Sequence, residues 1–87
     1  MCSNPSYVLT AHAIRVIQER GIALTWVERI LAKPMKIELD RHDPTLRHAL
    51  GGIPEFGDRV LRVVYNETTQ PQQVVTAYFD RTQRGKL

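Results

Sequence analysis

The chain has 87 residues, a net charge of +3 and a single cysteine, Cys2. That size confines it to one small domain (1–87), excludes an internal disulfide and leaves one thiol for any thiolate metal site. No apolar run approaches the ~18 residues of a membrane span, and the opening MCSNPSYVLT lacks the regions of a signal peptide, so a cytoplasmic location is expected. Twelve cations are mixed with nine acids, a balance compatible with an anionic partner that does not by itself require one.

Residues 1–6 are polar and read as a loose end, and 7–9 as a short strand. The stretch 11–20 reads as a helix: Thr10 is placed to cap it, Gly21 to end it in the left-handed conformation, and Ala13, Ile14 and Ile17 give it an apolar stripe. Thr25-Trp26-Val27-Glu28 has the form of a capping box, opening a second helix with Trp26, Val27, Ile30 and Leu31 on its apolar side and Pro34 as its stop. The two helices form a hairpin. KIELD, at 36–40, alternates like a strand.

Residues 41–58 are harder to read. Asp43-Pro44 and Gly51 bracket a short predicted helix with Arg47 and His48 near its end, and Gly51-Gly52, Pro54 and Gly57-Asp58 mark turns around Phe56. RVLRVVYN (59–66) and QVVTAYFD (73–80) are strands joined as an antiparallel hairpin, apolar on both faces and therefore covered on both. Residues 82–87 read as a second loose end. Trp26, Phe56 and Phe79 are the candidate large core residues. The expected fold class is α+β: two N-terminal helices packed on a small three- to four-stranded antiparallel sheet.

Four residue groups carry possible chemistry. His12 sits in the first turn of the first helix, where the macrodipole disfavours the imidazolium and suits the ring to act as a general base; a structural histidine is the plainer alternative. Arg15, Val16, Glu19 and Arg20 share a broad arc with it, and Arg15 and Arg20 either bind phosphate or pair with acids. On the strands, alternation places Arg62 with Val60, Val64 and Asn66, and Thr76 with Val74, Tyr78 and Asp80. Arg62, Thr76 and Tyr78 then supply planar donors for phosphate, a hydroxyl and an aromatic platform; the alternative is a solvated edge arginine and an ordinary strand tyrosine. Arg81, with Arg84 and Lys86, gives a basic tail suited to a nucleic-acid backbone. The remaining candidates fail on spacing. His42 and His48 with Asp40 and Asp43 match no zinc pattern, Cys2 has no histidine partner, and the glycines form no phosphate loop.

Taken in order, His12-Ala13, Arg15, Glu19-Arg20-Gly21-Ile22, Pro34, LRVVY at 61–65 and VVTAYFD at 74–80 resemble a widespread bacterial family of small domains of unknown function, over most of the chain. Many relatives carry the first arginine four residues after the histidine; here Val16 stands there and the arginine is Arg15. The family is similar, more distantly, to the RelE-like and BrnT-like toxins of bacterial toxin–antitoxin pairs, small basic α+β domains that cleave RNA without a metal or cofactor. That resemblance implies RNA as substrate and attack of the ribose 2′-OH on the adjacent phosphate. Arg62 or Arg15 would stabilise the phosphorane, His12 or Tyr78 would handle protons, and a co-encoded antitoxin would cover the site. Two other readings stand beside it: a non-enzymatic module that holds RNA or an acidic partner helix, and an inactive structural member of the family, for which Val16 is the suggestive feature.

Overall fold

A computed structural model describes residues 7–69 and 71–83. Of the expected loose ends 1–6 and 82–87, residues 1–6 and 84–87, with Cys2, Arg84 and Lys86, lie outside the described residues, whereas Thr82 and Gln83 belong to a 3-10 turn in which Thr82 bonds Asp80. The elements run β1 (Tyr7–Leu9), α1 (Ala11–Glu19), α2 (Leu24–Ala32), β2 (Lys36–Leu39), β3 (Leu46–Ile53), a 3-10 turn at Pro54–Phe56, β4 (Arg59–Asn66), β5 (Gln72–Phe79) and a second 3-10 turn at Arg81–Gln83.

The class is α+β, but the sheet has five strands in the order β1-β5-β4-β3-β2 and is mixed, because β1 runs parallel to β5. The expectation of three or four antiparallel strands is corrected at two places. β1 joins the sheet at Tyr7↔Gln72 and Leu9↔Val74, and Thr10 N–H extends the pairing to Val74 O. The segment read as a helix at 43–51 is a turn at Asp43 followed by β3, which pairs with β4 along its length and with β2 from Arg47 to Leu50. Asp43 does not cap a helix; its carboxylate takes the N–H and hydroxyl of Thr45 in a turn. Gly51 is not a helix stop either. A Cβ there would lie 2.5 Å from Ile30 Cδ1, so a larger residue would require the Ile30 side chain of α2 to shift.

Both helices pack on one face, α1 against β5 and β1, α2 against β4 and β3. Ala13, Ile17, Ile22, Val27 and Ile30 meet Ala49, Ile53, Leu61, Val63, Val74 and Ala77 there. Thr10 caps α1 through Oγ1, which accepts from Ala13 N–H at 3.1 Å, and Gly21 has φ +66°, both as the sequence predicts. The buried stripe of α1 is Ala13, Val16 and Ile17, with Ile14 exposed, so Val16 is a packing position.

α2 begins at Leu24 with Ala23 as its cap and no side-chain cap bond. The capping box at Thr25 is therefore not used. Ile22, buried and bonded through its N–H to Ile17 O, pins the linker and starts the helix early. Trp26, Phe56 and Phe79 cluster with centroids 5.1–6.1 Å apart, at a rim where Phe56 is exposed.

The face without helices carries Glu38, His48, Leu50, Val60, Arg62, Val64, Thr76 and Tyr78. Its register is Glu38↔His48↔Val64↔Thr76 and Leu50↔Arg62↔Tyr78. A bulge between Val64↔Thr76 and Tyr65↔Val74 gives β5 one extra residue, Val75. Simple alternation puts Val74 beside Thr76; the bulge instead sends Val74 into the helix-side core and keeps Thr76 and Tyr78 on the other face.

Candidate functional site on the helix-free face

Arg62 lies on central strand β4 and is only 7% exposed, not the solvated edge residue of the plainer reading. A buried guanidinium needs partners for its donors, and the neighbouring strands supply them. Nε and Nη2 donate to Asp80 Oδ2 at 2.9 and 2.6 Å. Nη1 donates to Glu38 Oε1 at 3.0 Å and to His48 Nδ1 at 2.8 Å. An arginine has no acceptor, so Nδ1 is the unprotonated nitrogen of a neutral ring and Nε2 carries the proton. Nε2 lies 2.7 Å from Asp40 Oδ1 and donates to it. Asp40 is held by the N–H groups of His42 and Asp43 on its other oxygen. The result is a continuous chain, Asp40–His48–Arg62, closed by Asp80 and Glu38.

The electrostatics follow from these bonds. The His48 hydrogen bond, then the two backbone N–H groups, hold Asp40 down at about 2. The Arg62 hydrogen bond, then that of Lys36, lowers Glu38. Asp80 is lowered first by the Thr82 hydroxyl; burial opposes this, and Arg62 and the Thr82 N–H add to it. Burial works against the charge on Arg62, and its bonds to Asp80 and Glu38 outweigh that, so its pKa is raised. With Lys36 beside Glu38 and His48 neutral, the cluster holds one more negative than positive charge.

Where β4 starts and β5 ends, Arg59, Val60, Phe79, Asp80 and Arg81 line a groove of about 630 Å³. The Arg59 guanidinium sits 4.5 Å from the centre of the Phe56 ring. Among the described residues neither Arg59 nor Arg81 has a carboxylate partner. Asp80 lines the groove and also holds Arg62, so the two share that residue at the end of the sheet, with Arg59 and Phe79 towards the helix side and Val60 and Arg62 on the other.

Of the residues singled out from sequence, Arg62, Thr76 and Tyr78 come together on this face, and Arg81 borders the groove. His12 and Arg15 do not join them. They are exposed on α1, across the sheet from Arg62, with Arg15 Nη2 3.4 Å from His12 Nδ1. Arg20 Nη1 donates to Ala77 O at 2.7 Å and ties α1 to β5. His48, Asp40, Glu38, Asp80 and Arg59 were not among the predicted site residues. The available signal was Arg62 itself: an arginine inside the apolar run VLRVV demands buried acceptors, and the acids of KIELD alternate in step with it. Among the described residues no three His, Cys, Asp or Glu side chains gather to hold a metal ion, and no helix is long and apolar enough to cross a membrane.

Fold and site together define a small α+β domain with a hydrogen-bonded His–Arg–carboxylate chain on the helix-free face of a mixed sheet. The chain belongs to the family described as Domain of unknown function (DUF4258), whose model matches residues 9–79. No curated protein and no solved structure matches it.

Proposed function

We propose that this chain is a toxin-like, RNA-directed domain of the cytoplasm, a metal-independent ribonuclease of a toxin–antitoxin pair that works on the helix-free face. The observation that carries the reading is Asp80, which lines the groove at the sheet end and also holds Arg62 on the helix-free face. Arg59 and Arg81 offer two unpaired guanidinium groups for backbone phosphates and Phe79 offers an aromatic wall. Asp80 then leads to Arg62 and His48.

The resemblance to RelE-like and BrnT-like toxins supplies the reaction class. The 2′-oxygen forms a bond to phosphorus and the P–O5′ bond breaks. His48, oriented by Asp40, takes the 2′-OH proton on Nδ1 once Arg62 shifts from that nitrogen to a phosphate oxygen. Tyr78, the cross-strand neighbour of Arg62, gives a proton to O5′ and recovers one from solvent. In this reading His48 takes the general-base role, because His12 lies on α1, across the sheet from Arg62. A co-encoded antitoxin would cover this face.

One observation favours a non-enzymatic binding module instead: Asp80 and Glu38 already neutralise Arg62. The test is incubation of the full chain with end-labelled RNA in the presence of EDTA, alongside His48→Ala, His12→Ala and Arg59→Ala/Arg81→Ala. The nuclease reading expects products with 2′,3′-cyclic phosphate ends, lost in His48→Ala with binding retained and unchanged in His12→Ala. The arginine double variant should bind more weakly, with a shallower salt dependence. Binding without cleavage assigns a binding module; no binding to RNA removes the nuclease and leaves a module for a protein partner.

A further inference from the structure

Among the described residues β2 is one of the two outer strands of the sheet, paired to β3 on one side only. Lys36 and Glu38 project to the helix-free face, where Glu38 meets Arg62. Ile37, opposite the core residue Ala49, projects to the helix side. There the helices pack against the other four strands, and the apolar side of β2 stays open: Met35 is 62% exposed, Ile37 52% and Leu39 71%. A row of large apolar side chains on a free sheet edge is a template for another strand.

The phase of the ladder decides which backbone groups face outward. Asp40 N–H donates to Leu46 O, continuing the register Leu39↔Arg47. Bonded positions alternate along an antiparallel pair. Lys36 and Glu38 therefore turn their backbone groups to β3, and Ile37 and Leu39 turn theirs to the open edge.

We propose that this edge pairs with the same edge of a second copy of the chain, antiparallel about a two-fold axis at Ile37, joining two five-stranded sheets into one. In that register Ile37 exchanges both backbone hydrogen bonds with Ile37 of the second copy. Leu39 faces Met35, Lys36 faces Glu38, and each contact recurs across the axis. Lys36 already reaches Glu38 of its own chain at 3.1 Å, so pairing extends that contact into a ring of alternating charge. An axis at Lys36 or at Glu38 sets like charges against each other, and an axis at Leu39 sets Glu38 against Asp40. Only the axis at Ile37 matches both the charges and the apolar stripe. Pro34, which has no N–H, Met35, whose N–H already donates to Leu50 O at 2.8 Å, and the turn that Asp40 makes with His42 and Asp43 limit the backbone pairing to residues 36–39, with the Met35 side chain alone facing Leu39.

The test is sedimentation of the full chain over a wide concentration range, with the mass expected to rise from 10.0 kDa to twice that value. Ile37→Pro removes an N–H that β3 does not use, so the fold should persist, by circular dichroism, while the protein stays monomeric. Should that variant not fold, Ile37→Lys carries the same expectation. In a Cys2→Ser background, mild oxidation should link Ile37→Cys into a covalent dimer, since bonded partners in such a ladder lie about 5.5 Å apart. Leu39→Cys, which faces Met35, should not link. A chain that remains at 10.0 kDa, a dimer that survives both edge variants, or equal cross-linking at 37 and 39 overturns the proposal. So does a monomer whose edge takes up an unrelated strand peptide.

Discussion

Removing the carboxylate of Asp80 should cost far more stability than removing the arginine it serves. Arg62 and Asp80 have side chains 9% and 13% exposed, and two of the guanidinium donors end on Asp80 Oδ2. Asp80→Ala leaves a buried cation with only Glu38 and His48 as acceptors. Two charge-assisted bonds and a broken buried pair amount to about 3 kcal/mol, the lower end for such pairs because Asp80 borders the groove. Arg62→Met instead puts apolar volume on an apolar strand. The carboxylates it abandons keep other partners, Thr82 for Asp80 and Lys36 for Glu38, so the loss should be about 1 kcal/mol or less. The double variant should then be more stable than Asp80→Ala alone, a coupling of about 2 kcal/mol in a double-mutant cycle. Urea unfolding followed by the fluorescence of the single tryptophan, Trp26, measures all four proteins. Equal losses in the two single variants, adding in the double, would refute the reasoning.

The acid limb of stability should lie between about pH 4 and pH 2. Folding lowers Asp40 from 3.8 to about 2, through His48 first, and Glu55 from 4.5 to about 2, through Arg29 first. The unfolded chain therefore binds these protons first, and stability is whole above the unfolded values and lost as the pH falls through the folded ones; urea midpoints that rise on acidification would contradict this. Gly51→Ala should destabilise by about 1 kcal/mol, because its Cβ meets Ile30 Cδ1. Adding Ile30→Val, which deletes that atom, should recover part of the loss in the same assay. Thr10→Ala should cost about 1 kcal/mol by removing the α1 cap, and Thr25→Ala should cost little because Thr25 caps nothing; thermal melts that rank them the other way would reject the cap assignment.

Where a feature is local, the residues announce it. Thr10, Gly21 and the apolar runs of β4 and β5 behave in the structure as their types dictate. β3 was hidden because Asp43-Pro44 and Gly51 imitate helix punctuation, while the side chain that Gly51 approaches, Ile30, stands twenty-one positions earlier in the chain and meets it only after folding. Val75 carries no mark of being the extra residue of a bulge; its place depends on β4 and β5 both fitting the core. His48 was legible as a residue but not as a site. Its partners Asp40 and Arg62 are 8 and 14 positions away, across two strand pairings whose register sequence alone does not set. Arg62, Thr76 and Tyr78 were recoverable because period-two alternation and one hairpin suffice to gather them.

The parallel pairing of β1 with β5 bears on how the chain is completed during synthesis. α1 is fastened to β5 at both ends, by Thr10 N–H on Val74 O and by Arg20 on Ala77 O, and among the described residues β1 has no strand neighbour except β5. β1 and α1 precede β5 in the chain, so they leave the ribosome before the strand they dock on. A nascent chain can pair β2, β3 and β4 in sequence as each is made, but α1 waits until β5 has left the ribosome. Any product cut short before β5 is thus left with an apolar helix face that has nowhere to go.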